Sequence, residues 1–158
     1  MKYLILTITF SFLLCSCNKA FPENRNQQAS LPEKFNFKEM KLKTITTFIH
    51  PKNHTTSTLY GNENAYNALL QSDSTPSNSS KNLVLITWKQ QDDPNWFGAK
   101  IPGSLVSIET LKTNTNFKDL QNITYEFLPG AHSEKDIPAS DKGKRIKAIL
   151  ALQPAVMP

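Results

Sequence analysis

Leu83-Val-Leu-Ile-Thr-Trp-Lys89 and Leu105-Val-Ser-Ile-Glu-Thr-Leu-Lys112 decide the fold, and the stretch Trp88 to Gly103 joins them. The first run is β-branched and apolar at consecutive positions, which predicts a central strand covered on both faces. The second alternates: Leu105, Ser107, Glu109 and Leu111 fall on one face, Val106, Ile108 and Thr110 on the other. Between them, Trp-Lys-Gln-Gln-Asp-Asp-Pro-Asn-Trp-Phe-Gly-Ala-Lys-Ile-Pro-Gly reads as a loop that holds both tryptophans of the chain. Loops normally carry small polar residues, so Trp96 and Phe97 need a reason. They read first as a lid packed on the sheet edge and second as pocket lining. Asp92-Asp93-Pro94 reads as turn chemistry rather than as paired acids for catalysis, because neighbours beside a proline seldom aim at one target.

Working outward, Lys43-Thr-Ile-Thr-Thr-Phe-Ile49 is β-branched and aromatic and stops at His50-Pro51, which predicts a strand. Thr55 to Tyr60 predicts a second, closed by Gly61-Asn62. Asn62 can cap a short helix on which Ala65, Ala68 and Leu69 share a face. Residues 71–81 are Ser-rich and read as an exposed loop, in which Asp73-Ser74-Thr75 resembles a weak O-glycosylation triplet. Ile123 to Leu128 predicts another strand, ended by Pro129-Gly130. A last helix capped by Ser140 or Asp141 buries Ile146, Ile149 and Leu150 and stops before Pro154. The expected fold is α+β: about five antiparallel strands with flanking helices, in a single domain over 40–158.

The start of the chain reads as an address. Lys2 is followed by an apolar run, Leu4 to Leu14, too short for a comfortable membrane span. Leu14-Cys15-Ser16-Cys17 then resembles the lipobox of bacterial lipoproteins. That resemblance implies a signal peptide over 1–16, cleavage before Cys17, and lipidation (palmitate among the acyl chains) at Cys17, giving a membrane anchor. Residues 17–39 are expected to be a flexible polar tether. Asn18, where an aspartate would signal retention in the inner membrane, points by resemblance to the outer membrane of the cell envelope. With Cys15 removed and Cys17 lipidated, no disulfide, thiol nucleophile or cysteine metal site is expected in the mature chain.

Charge narrows the partners. The formal net charge of +5 is modest and its lysines are scattered. Lys142, Lys144, Arg145 and Lys147 read as the wet side of a helix. Nucleic acid as a partner is rejected, since there is no continuous basic stripe with interleaved aromatics and the export signal conflicts with it. His50, His54 and His132 are the three histidines. Pro51 argues against a shared helical face for the first two, and no acids cluster with them, so no metal site is expected. No Gly-x-Ser-x-Gly elbow and no phosphate-cradling glycine loop is present, and no catalytic residue is assigned.

Thr58-Leu-Tyr-Gly-Asn-Glu-Asn-Ala65, Leu85-Ile-Thr-Trp-Lys89, Asp93-Pro-Asn-Trp96, Ile101-Pro-Gly103, Ser107-Ile-Glu109 and Gln153-Pro-Ala-Val-Met-Pro158, in this order and spacing, resemble the cytochrome P-460-like proteins. The resemblance implies a five-stranded antiparallel sheet related to the β-type cytochromes c-prime, and it allows a homodimer. Members that carry haem attach it through Cys-x-x-Cys-His, and this chain has no cysteine after Cys17. Covalent haem is therefore excluded by chemistry, and the family's redox activity is not transferred with it. By resemblance, Glu109 matches a distal carboxylate, and His132 lies near the place of the haem histidine.

The candidate pocket is Trp88, Lys89, Asp93, Trp96, Phe97 and Glu109. Glu109 either is partly buried, with a site-like environment, or reaches solvent or a lysine on a neighbouring strand. The first functional expectation is a lipid-anchored binding or interaction module for a small molecule, without enzymatic activity. The second is a redox protein that holds haem noncovalently through His132. The third is an envelope protein whose pocket has filled with side chains.

Overall fold

The computed structural model describes residues 26–33, 35–70, 78–131 and 141–154. Five strands run β1 (Lys43–His50), β2 (Thr55–Gly61), β3 (Lys81–Asp92), β4 (Lys100–Thr113) and β5 (Thr124–Pro129). They form one sheet in chain order, and every neighbouring pair is antiparallel. Helix α1 (Glu63–Leu70) follows β2 and helix α2 (Lys142–Leu150) follows β5. The α+β expectation holds. The signal peptide, Cys17, His132, Ser140 and the Asp73-Ser74-Thr75 triplet lie outside the described residues.

Local chemistry sets the boundaries. Asn62 Oδ1 accepts from the Ala65 N–H at 3.0 Å, a helix cap that satisfies one of the orphan donors of α1. The same oxygen accepts from the Asn82 N–H at 3.2 Å, which ties the helix start to β3. In α2, Ile146 and Ile149 are buried, as their spacing predicts, while Leu150 is partly buried against the same cluster.

β3 is central, and Leu83, Val84, Leu85 and Ile86 are buried in succession. Leu83 and Leu85 join Ile45, Leu59, Leu111, Ile146 and Ile149 in the core under the helices. Val84 and Ile86 join Trp88, Leu105 and Ile108 on the other face. Each such aliphatic side chain contributes about 1.5–3 kcal/mol, so the middle of β3 anchors both layers.

Two expectations change here. Residues 26–39, expected as part of a tether, lie against the sheet over their described part. Ala29, Leu31, Phe35, Phe37, Met40 and Leu42 cover the second core, and the Phe37 ring meets Tyr60 edge-on at 4.8 Å between centroids. Without this strap, the Val84, Ile86 and Ile108 face would be open to water. The Trp88–Gly103 loop is also shorter than expected. β3 and β4 continue pairing through Gln90 with Pro102, Gln91 with Ile101 and Asp92 with Lys100, so only residues 93–99 form the turn.

A bulge sits in β4. Thr87 pairs with Ser107 but Trp88 pairs with Leu105, leaving Val106 as an extra residue. The alternation therefore breaks. Leu105 joins Trp88 and Ile108 rather than sharing the Ser107, Glu109 and Leu111 face. The Gly130 N–H donates to the Val106 carbonyl at 2.8 Å. Gly130 is required by close approach, since a Cβ there would stand 1.9 Å from the Leu105 carbonyl oxygen.

Candidate functional site

On the helix side of the sheet, α1 and α2 cover only part of the surface. The uncovered part is a cleft of about 680 Å³, within the usual range for small-molecule sites. Its floor is built by register. One cross-strand row is His50–Thr55–Lys89, the next is Ser57–Thr87–Ser107, and the next is Leu59–Leu85–Glu109. Basic groups thus stand at the mouth, hydroxyls in the middle and a carboxylate at the inner end. The Ser57 and Thr87 hydroxyls bond each other at 2.8 Å. The bulge turns Val106 as well as Ser107 into the cleft.

Glu109 is 2% exposed and is held by three donors. Arg145 of α2 donates Nε to Oε2 at 2.9 Å and Nη2 to Oε1 at 2.5 Å. The Tyr125 hydroxyl of β5 donates to Oε2 at 2.8 Å. A bidentate guanidinium pair is among the stronger charge-assisted arrangements, and it offsets the cost of keeping a carboxylate away from water. Its geometry also sets the angle of α2 on the sheet. The hydrogen bond to Glu109, opposed by burial, raises the Arg145 pKa further. Burial first, and the bond to Glu109 second, push the Tyr125 phenol well above its ordinary value. Both groups keep their protons throughout the neutral range.

The mouth is positively charged. A short 3-10 turn, Pro51–Asn53, joins β1 to β2 and brings His50, Lys52 and His54 to the rim. His54 closes the turn in the left-handed conformation. Lys89 Nζ donates to the Asn53 carbonyl at 3.3 Å, linking the turn to β3. Lys52, Lys89 and Arg145 face a single lining carboxylate, Glu109. Phe48, Leu85, Ala148, Ile149 and Leu152 supply the apolar part of the lining.

Of the expected pocket residues, the structure brings Lys89 and Glu109 to this cleft and separates the other four from it. Trp88 points to the opposite core, where its indole N–H donates to the Ala29 carbonyl at 3.0 Å. Asp93 serves the hairpin turn: its carboxylate accepts from the Asn95 N–H at 2.8 Å and its own N–H donates to the Ala99 carbonyl. Trp96, 72% exposed, and the fully exposed Phe97 stand at the hairpin tip. They are neither a lid on the sheet edge nor pocket lining. Glu109 reaches neither solvent nor a strand lysine; its partners are a helix arginine and a strand tyrosine.

Arg145, Tyr125 and Lys52 were missed by sequence reasoning. Arg145 precedes Ile149 by four residues, so helical spacing places it on the edge of the buried stripe rather than on the wet side. That signal was present. The meeting of Tyr125 with Glu109 was not legible, because it depends on the exact β4–β5 register, in which Leu111 pairs with Tyr125 and Glu109 with Phe127.

Among the described residues, no group of three or more His, Cys, Asp or Glu side chains could hold a metal ion, and no helix is long and apolar enough to cross a membrane. Compared with protein-family models and with curated proteins, the chain matches none.

Proposed function

We propose that this protein is a lipid-anchored module of the bacterial cell envelope that binds a small acidic molecule with an apolar body in the helix-side cleft. Its lipobox-like Leu14-Cys15-Ser16-Cys17 supports the anchor at Cys17, and Asn18 supports the outer membrane. The ordered blocks from Thr58 to Pro158 support a cytochrome P-460-like domain that lacks covalent haem. The observation that carries the ligand class is the excess of cations lining the cleft: Lys52, Lys89 and Arg145 against Glu109 alone. Glu109 already has three donors, so the two mouth lysines are left to attract an anion. Serine and threonine hydroxyls at mid-depth can bond its head group, and Phe48, Leu85 and Leu152 can cover its apolar part.

The role is binding rather than catalysis. Both oxygens of Glu109 are engaged by Arg145 and Tyr125, so the one lining carboxylate is committed to holding α2 rather than to a ligand. Thermal melts of the purified protein with decanoate and with decanol test the reading. Decanoate should raise the melting temperature and decanol should not, and a Lys52→Ala, Lys89→Ala double variant should lose the shift. Equal shifts with both probes, or no shift with decanoate, would contradict it.

Noncovalent haem is the second reading, favoured by the same lining, since haem presents two propionates on an apolar body and the cleft residues can meet the propionates. The resemblance assigns the axial ligand to His132, outside the described residues. Titration with haemin should then give a Soret shift that disappears in His132→Ala; an unchanged spectrum removes haem and leaves the organic-acid reading intact.

A further inference from the structure

The β3–β4 hairpin tip is the one place among the described residues where two large exposed apolar side chains, Trp96 and Phe97, are sequence neighbours. A solvent-exposed aromatic pair at the end of a ribbon buries nothing within the chain. Lys100 pairs with Asp92 at the base of the tip, which leaves Asp93, capping the turn through the Asn95 N–H, as the tip's one carboxylate.

The path of the N-terminal strap says which way this tip faces. Asn26 Nδ2 donates to the Pro102 carbonyl at 2.7 Å. Three residues later, the Ala29 carbonyl accepts from Trp88, whose strand partner is Leu105. Phe35 and Met40 then lie beside Ile108 and Thr110. The strap therefore runs along β4 away from the hairpin tip, and its first described residue, Asn26, lies at the tip end. Cys17 is nine residues upstream of Asn26, a reach of at most about 30 Å. From Pro102 to the turn at Ala99 is about 10 Å of strand. A lipid at Cys17 would thus keep Asn26, at the Trp96–Phe97 end of the molecule, within about 30 Å of the bilayer.

The geometry points to a second membrane contact: Trp96 and Phe97 seat in the bilayer interface and orient the anchored domain, with the Lys52 and Lys89 end of the cleft towards the lipid surface. This inference rests on the lipid-anchor reading of Cys17. Tryptophan suits the role because its ring is apolar while its N–H stays wet at headgroup level. The β1–β2 turn carrying His50, Lys52 and His54 lies at the same pole, because His54 O accepts from the Gln90 N–H at the base of the hairpin. The acyl chains supply affinity; the aromatic tip supplies orientation.

The test reconstitutes the full lipidated protein in phosphatidylcholine vesicles with brominated acyl chains and reads tryptophan quenching after flotation. The protein should float, with blue-shifted and quenched emission. Trp96→Phe should leave only the unquenched signal of buried Trp88, and Phe97→Asp, which keeps Trp96 as reporter, should lose most of the quenching. Flotation with unquenched Trp96, or quenching that survives Trp96→Phe, overturns the tip contact while leaving the anchor standing. Failure to float overturns the anchor and the orientation built on it.

Discussion

The two faces of the sheet are closed in different ways. The Val84–Ile86–Ile108 face is covered by an irregular strap, Asn26 to Leu42, that adds side chains wherever the sheet would otherwise be wet. The Leu85–Glu109 face is covered by two helices that stop short, and a half-buried ion pair fixes the edge of one of them. The strap uses apolar area, which is non-directional and tolerant of irregular backbone. The helix α2 uses a directional bidentate pair, which sets position at the cost of desolvating charge. Complete cover gives a core; incomplete cover, held open by a fixed helix, gives a cleft.

The largest expected effect breaks the strap face. Trp88→Ala removes the indole from the second core and strands the Ala29 carbonyl, and should cost about 3–5 kcal/mol by denaturant titration. It should leave decanoate affinity unchanged in whatever fraction remains folded.

Next comes the pair that fixes α2. Arg145→Met leaves Glu109 buried without its counter-charge. Because the Arg145 side chain is 40% exposed, the expected loss is about 2–3 kcal/mol, below the figure for a fully buried pair. A combined Glu109→Gln, Arg145→Met variant should recover part of that loss, and a double-mutant cycle over the four proteins measures the coupling.

Tyr125→Phe should cost about 1 kcal/mol, and its pH dependence has a definite sign. The folded pKa of Tyr125 lies above the unfolded value, so its contribution is complete below about pH 10 and is lost as pH rises through the folded pKa. The stability gap between wild type and Tyr125→Phe should be constant from neutral pH to about 10 and narrow above it. The smallest effect belongs to Phe97→Ser, which should change stability by less than about 0.5 kcal/mol, because Phe97 is fully exposed. A large loss there would mean that the tip packs on something.

Legibility followed periodicity. β-branched runs marked the strands, consecutive apolar residues marked β3 as central, and Asn62 and Ile146 marked the helices. Three features lacked a period. Gln90–Asp92 and Lys100–Pro102 pair as an extension of the hairpin, yet their mixture of charges and Pro reads as loop. Ala29, Leu31, Phe35 and Phe37 cover a core without regular spacing, so a polar tether was the natural reading. The single extra residue at Val106 shifted Leu105 to the other face, an error that strict alternation cannot detect. Glu109 was singled out through the family resemblance and its alternation, but its partners required the helix and β5 to be docked.

The most direct test of the account is a ¹⁵N chemical-shift map of the protein titrated with decanoate. Shifts concentrated at Ser57, Thr87, Lys89, Ser107 and the α2 residues around Arg145, and absent from the Val84–Ile86–Ile108 face and from Trp96–Phe97, are the predicted result. Shifts confined to the hairpin tip or the strap, or none at saturating decanoate, would contradict the claim that the partly covered face is the binding face.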